Sequence, residues 1–140
     1  MIHKAGLILL IDNGFILGTS RKYDKTKFGL IGGKAEPNET PKEAAIRECF
    51  EETDIVVHDC EFIFKREEPS TQFPGDTFES HCFYATKWSG KAISKEKQYG
   101  MNIAWLMKNE LLVSKAAYPV YNKLMLEAFS LKFPNVKIID

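Results

Sequence analysis

The chain has 140 residues, 44% apolar and 27% charged, and its 19 basic and 19 acidic side chains cancel to a formal net charge of zero. That length suits one compact domain with a real core, and zero net charge argues against a nucleic-acid or anionic-membrane binder. Three cysteines, Cys49, Cys60 and Cys82, cannot all pair within one chain, and none stands in a C-x-x-C motif. Reduced thiols in a cytoplasmic protein are therefore expected, and a zinc site is not.

The first apolar run, Ala5 to Ile11, is far shorter than the ~20 residues that span a bilayer. It lacks a small-residue cleavage site, so no signal peptide is expected. The segments AGLILLI and FILGTS are predicted as two strands around Asn13-Gly14, the favoured pair for a two-residue hairpin. A cationic loop over 20–27 follows, then the short apolar run FGLI before Gly32-Gly33.

The next element is predicted as a helix from Pro41 to about Thr53. Thr40 is its N-cap, Pro41 its first residue and Glu43 its capping-box acid. Beyond it, DIVVHDCEFIFKRE is predicted as a strand with Val56, Cys60, Phe62 and Phe64 on one face, and EPSTQFPGD as a loop. TFESHCFYATKW is predicted as another strand, with Phe78, Cys82, Tyr84 and Trp88 together. SGKAISKEKQYG is predicted as loop, MNIAWLM as a last strand, and YPVYNKLMLEAFSL as a second helix with Tyr121, Leu124, Met125 and Ala128 on its apolar stripe. Strands interrupted by two separate helices predict an α/β protein whose mixed central sheet packs between helices.

Between residues 32 and 55 stand seven carboxylates and only three cations. On a helical wheel Glu48, Glu51 and Glu52 fall within an arc of roughly 100°, with Ala44 among them, while Ile46, Cys49, Phe50 and Thr53 form the expected packing face. Each like-charge pair at this spacing costs about 0.2–0.5 kcal/mol, and the helix dipole disfavours anions near the C-terminal end. Oxygen-only ligands on one face, over small alanines, suit Mg²⁺ or Mn²⁺. Gly32 and Gly33 let the backbone approach a ligand closely, and Lys34 offers a phosphate a point charge.

These residues resemble the box of the Nudix family: glycine, five residues, glutamate, seven residues, arginine-glutamate, an aliphatic, any residue, two glutamates, any residue, glycine and an aliphatic. Gly33, Glu39, Arg47, Glu48, Glu51, Glu52 and Ile55 stand at those spacings, with Cys49 in the first aliphatic slot. Asp54 replaces the family's glycine and Ile31 stands where many members carry proline. Asp tolerates a left-handed backbone better than most residues, so intact chemistry at a small stability cost is expected.

The resemblance implies a Nudix-type α/β/α sandwich that hydrolyses a phosphoanhydride in a nucleoside diphosphate derivative, with Mg²⁺, or Mn²⁺, as cofactor. It implies Glu48, Glu51 and Glu52 as metal ligands with the Gly32 carbonyl, Glu48 favoured as general base, and Arg47 orienting the carboxylates through Glu39 or Glu51. By likeness to the MutT-like pyrophosphohydrolases of the family, Glu96 is a further candidate acid. Arg21, Lys22 and Lys34 are candidate phosphate contacts, and Tyr23, Phe28, Phe83 and Trp105 candidate stacking partners for a base. The first expected substrate is a nucleoside triphosphate, an oxidised purine nucleotide included, cleaved to monophosphate and pyrophosphate. ADP-ribose or a dinucleoside polyphosphate is the alternative, and a non-catalytic nucleotide- or protein-binding module is the alternative of another class. A monomer or homodimer without membrane or nucleic-acid partners is expected.

Overall fold

A computed structural model describes residues 1–140. The elements run β1 (Ile2–Leu9), β2 (Ile11–Asp12), β3 (Phe15–Ser20), β4 (Phe28–Lys34), α1 (Pro41–Thr53), β5 (Val56–Pro69), β6 (Thr77–Ser89), β7 (Ile103–Leu106) and α2 (Pro119–Lys132). A 3-10 turn lies at Lys97–Tyr99 and a π-helical turn at Glu110–Ser114. The strands form one curled mixed sheet in the order β2-β3-β4-β1-β6-β5, and β7 pairs with β3. β1 is its centre, antiparallel to β4 and parallel to β6.

Strand alternation puts apolar side chains on both faces of this sheet, so a helix must cover each. Ile8, Leu10, Leu17 and Ile31 join Ala45 and Cys49 of α1. Leu9, Ile16 and Leu30 join Met125, Leu126 and Phe129 of α2. The result is the expected α/β/α layering. The turn at Asn13-Gly14 forms with positive φ at both residues, but only the two-residue β2 pairs back onto β3. The longer β1 leaves the hairpin to pair with β4 and β6.

Three expected faces need correction. In β5 the buried residues are Val57, Cys60 and Ile63, while Phe62 is exposed; register shifts along the β5–β6 ladder break the period of two. The same irregularity puts Trp88 against the α1 side with Phe83 and Ala85, across the sheet from Cys82 and Tyr84. In α2 the buried residues are Asn122, Met125, Leu126 and Phe129, with Leu124 exposed. Apolar residues wrap too much of that helix for periodicity alone to choose the face. All three cysteines are buried free thiols.

Candidate active site

The acid-rich helix starts as its sequence dictates. Thr40 Oγ1 accepts from Glu43 N–H while Glu43 accepts from Thr40 N–H, with Pro41 at the first turn. It ends at Asp54, whose φ of 69° is left-handed and whose N–H closes the last turn on Phe50 O at 2.9 Å. How it packs differs from the wheel. Ala44, Ala45, Cys49, Glu52 and Thr53 are buried, and Phe50 is 46% exposed. Glycines on the sheet explain the difference. A β-carbon on Gly6 would overlap Pro41 O and lie 2.7 Å from Ala45 N, and one on Gly33 would lie 2.5 Å from Glu48 Cδ. The helix therefore docks with its small side chains down, and Glu52 and Glu48 are carried into the contact with β4.

Glu52 is only 7% exposed. Its Oε2 accepts from Gly32 N–H at 3.2 Å, and no cation of the chain pairs with it. Burial, then the charges of Glu48 and Glu96, push its pKa up to about 8. Burial likewise raises that of Glu48 despite Arg47 beside it. Glu96 comes to this cluster because its loop is sewn to the end of α1: Ile93 and Lys95 N–H donate to Thr53 O and Glu52 O at 3.0 and 3.2 Å.

Arg47 gathers the rest of the box. Its Nε and Nη2 donate to the two oxygens of Glu39 at 2.8 and 3.0 Å, a fork that holds the Glu39 carboxyl down at about 2. Nη2 also reaches Lys34 O, and Nη1 reaches Glu48 Oε1 at 3.1 Å and Glu51 Oε2 at 3.2 Å. With Glu48 and Glu51 turned onto Arg47, no three acids or histidines converge in ion-holding geometry. The donor set nonetheless suits a hard divalent cation. It offers carboxylate oxygens only, and it includes a buried carboxylate with no cationic partner.

Beside this cluster lies a cleft of about 540 Å³ lined by Arg21, Gly32, Gly33, Lys34, Tyr118, Tyr121 and Asn122 among others. Two polar atoms in its wall, Arg21 Nε and Tyr121 OH, are buried without a hydrogen-bond partner. The Arg21 guanidinium lies 5.3 Å over the Tyr118 ring, and Asn122 is fixed by its amide donating to Leu111 O at 2.9 Å. Lys34 Nζ donates to Gln72 Oε1 at 2.7 Å, across the cleft mouth, where Phe73 stacks on His3 with centroids 4.6 Å apart.

Of the candidate substrate contacts, Arg21 and Lys34 line this cleft. Lys22 and Tyr23 do not: Lys22 sits 5.8 Å over Tyr99 on the outer surface, and Tyr23 is 73% exposed. Phe28 and Phe83 are core residues, and Trp105 stands on β7 away from the cleft lining. The sequence reading missed Tyr118, Tyr121, Asn122, Gln72 and Phe73. They come from segments far apart in the chain, and only the aromatic run at the start of α2 was a local signal.

The sandwich sets a helix of carboxylates beside a cleft that holds Arg21 and Lys34. The chain belongs to the Nudix family and is a Nudix hydrolase: the family model described as NUDIX domain matches residues 1–128. Its fold is similar to that of a MutT Nudix hydrolase from Burkholderia pseudomallei, with a TM-score of 0.72 and 18% identity over 90% of this chain and 98% of that one. It is also similar to the E. coli ORF135 protein, at a TM-score of 0.73 and 22% identity over 96% and 91% of the two chains. An ADP compounds hydrolase matches at a TM-score of 0.73 and 17% identity, over 94% of this chain and 73% of that one.

Proposed function

We propose that the protein is a divalent-cation-dependent pyrophosphohydrolase that cuts a phosphoanhydride in a nucleoside diphosphate derivative. The preferred substrate is a nucleoside triphosphate, an oxidised purine nucleotide among the candidates, released as monophosphate and pyrophosphate. The observation that carries this reading is Glu52: a buried carboxylate without a cation, hydrogen-bonded to Gly32 in the wall of a cleft that also holds Arg21 and Lys34. Glu51 and Glu52 would hold the cation, Mg²⁺ or Mn²⁺, with Glu96 and the Gly32 carbonyl, while Glu48 serves as the general base. When bound, the ion neutralises polyphosphate charge and makes water more acidic.

The chain's own residues do the rest. Arg21 and Lys34 draw the phosphate chain toward the acid cluster, which would otherwise repel it. Lys34 exchanges its Gln72 partner for a phosphate oxygen. Arg47 holds Glu48 Oε1, leaving Oε2 to take the proton from the attacking water, and a base with a raised pKa is suited to that transfer. Tyr118 and Tyr121 line the same cleft and offer the nucleoside an aromatic wall.

The likeness to an ADP compounds hydrolase keeps ADP-ribose-type substrates as the second reading. A panel of nucleoside triphosphates, oxidised purine nucleotides, nucleotide sugars and dinucleoside polyphosphates, incubated with Mg²⁺ and resolved by chromatography, tests both. Pyrophosphate plus monophosphate from a triphosphate supports the first. Two monophosphates from ADP-ribose support the second. Binding without turnover across the panel, or turnover undiminished by excess chelator, would overturn the proposal.

A further inference from the structure

Asp54 occupies the box position where the family carries glycine, and its side chain has a partner. Its Oδ1 accepts from Lys95 Nζ at 3.1 Å. The same ammonium lies 4.8 Å over the Phe50 ring, on the outer side of α1. Lys95 N–H and Ile93 N–H take up two of the carbonyls that the end of the helix leaves free, those of Glu52 and Thr53. Four contacts thus fasten residues 93–95 to the last turn of α1.

The next residue is Glu96. Its carbonyl accepts from Tyr99 and Met101 N–H at 3.0 and 3.3 Å, so the chain fixes its backbone from both sides. The segment that carries it, 90–102 between β6 and β7, contains no regular element beyond one 3-10 turn. A loop of that length is held by its ties rather than by its own structure. Glycine at position 54 would satisfy the left-handed backbone without strain, yet it would leave Lys95 without an anion. The chain accepts an L-residue at a φ of 69° and gains the clip.

We propose that Asp54, through Lys95, is a positioning residue that holds the 93–96 segment against α1 and so keeps Glu96 beside Glu48 and Glu52. The proposal rests on the pyrophosphohydrolase reading, in which Glu96 serves the cation. Asp54 and Lys95 are 44% and 36% exposed, so salt weakens this tie and its removal loosens the loop without unfolding the protein.

Three measurements on the full chain test it. Amide hydrogen exchange at Ile93 and Lys95 in metal-free protein should quicken about five- to tenfold in Asp54→Asn and in Lys95→Gln, and return in Lys95→Arg. The dissociation constant for Mn²⁺, measured by calorimetry without substrate, should rise about three- to tenfold in the same variants. kcat at saturating cation should stay within about twofold. Asp54→Gly should raise Tm, because the left-handed strain is gone, and still weaken Mn²⁺ binding; a purely structural role predicts that the two move together. In a Glu96→Gln background, Asp54→Asn should add nothing to the loss of Mn²⁺ affinity.

Unchanged exchange in Asp54→Asn overturns the clip. An undiminished effect of Asp54→Asn in the Glu96→Gln background shows that Asp54 acts apart from Glu96 and overturns the positioning role. Failure of the wild-type protein to hydrolyse any nucleotide would count against the functional reading instead, since the exchange measurement needs no turnover.

Discussion

Gly33 and Glu48 meet so closely that a β-carbon on the glycine would lie 2.5 Å from Glu48 Cδ and 2.6 Å from its Oε1. The glycine of the box is thus a socket for the first carboxylate, and the atoms it would displace belong to a side chain rather than to backbone. In Gly33→Ala we expect Glu48 to swing off Arg47 while the fold survives. Activity should fall about ten- to a hundredfold, as misplacement of a catalytic group by an ångström does, with Tm lowered by only a few degrees. A kcat loss with near-native melting checks this; wild-type kcat would refute it.

Glu52 makes the opposite demand on stability and activity. Its ionised form is costly in the metal-free protein, because it is buried beside other acids and without a cation. Glu52→Gln should therefore stabilise the chelated protein at pH 8 by about 1–3 kcal/mol, while hydrolysis drops more than about a hundredfold. Denaturant melts in excess chelator, set against initial rates in Mg²⁺, would show both changes. A destabilised variant would mean that the carboxylate serves the fold.

How much of this was legible beforehand divides along local and distant causes. Thr40, Pro41 and Glu43 announce the start of α1 because capping is chemistry within four residues, and Asn13-Gly14 announces its turn for the same reason. The box spacing named the carboxylates. The sequence did not reveal that Glu52 is buried or that Phe50 is exposed, because both depend on Gly6 and Gly33 admitting the helix from distant strands. The cleft escaped for the same reason: Arg21, Gln72 and Tyr121 meet only after β5, β6 and α2 have packed. Ladder irregularities defeated the alternation expected in β5 and at Trp88, since a bulge is set by the partner strand as much as by its own residues.

The pH dependence follows from the raised pKa of Glu52. The unfolded chain releases this proton near 4.5, whereas the folded protein keeps it to about 8. Between those values the folded state holds a proton that the unfolded state lacks, so stability falls as pH rises, by at most about 1.4 kcal/mol per unit, and levels off above the folded value. Glu48 is shifted in the same direction and adds to the slope. A divalent cation competes with that proton, so its stabilising effect should grow over the same window. Melts from pH 5 to 9, in chelator and in Mg²⁺, should diverge as pH rises. Curves that stay parallel would place the cation elsewhere, and Glu52→Gln should flatten the slope in chelator.

Arg47 ties five acceptor oxygens on four residues together, and its fork on Glu39 is the geometry a lysine cannot copy. Arg47→Lys keeps the charge beside the cluster but must give up either the Glu39 pair or the reach to Glu48 and Glu51, because one ammonium cannot span both. If the role is to fix carboxylate orientation, kcat should fall about ten- to a hundredfold while KM for the nucleotide changes less than about threefold, since Arg47 is absent from the cleft wall. Glu39→Gln weakens the fork from its other end, so it should give a smaller loss of the same kind and add little in the Arg47→Lys background. A rise in KM without loss of kcat would instead place Arg47 on the substrate, and fully additive losses would mean that Glu39 acts on its own.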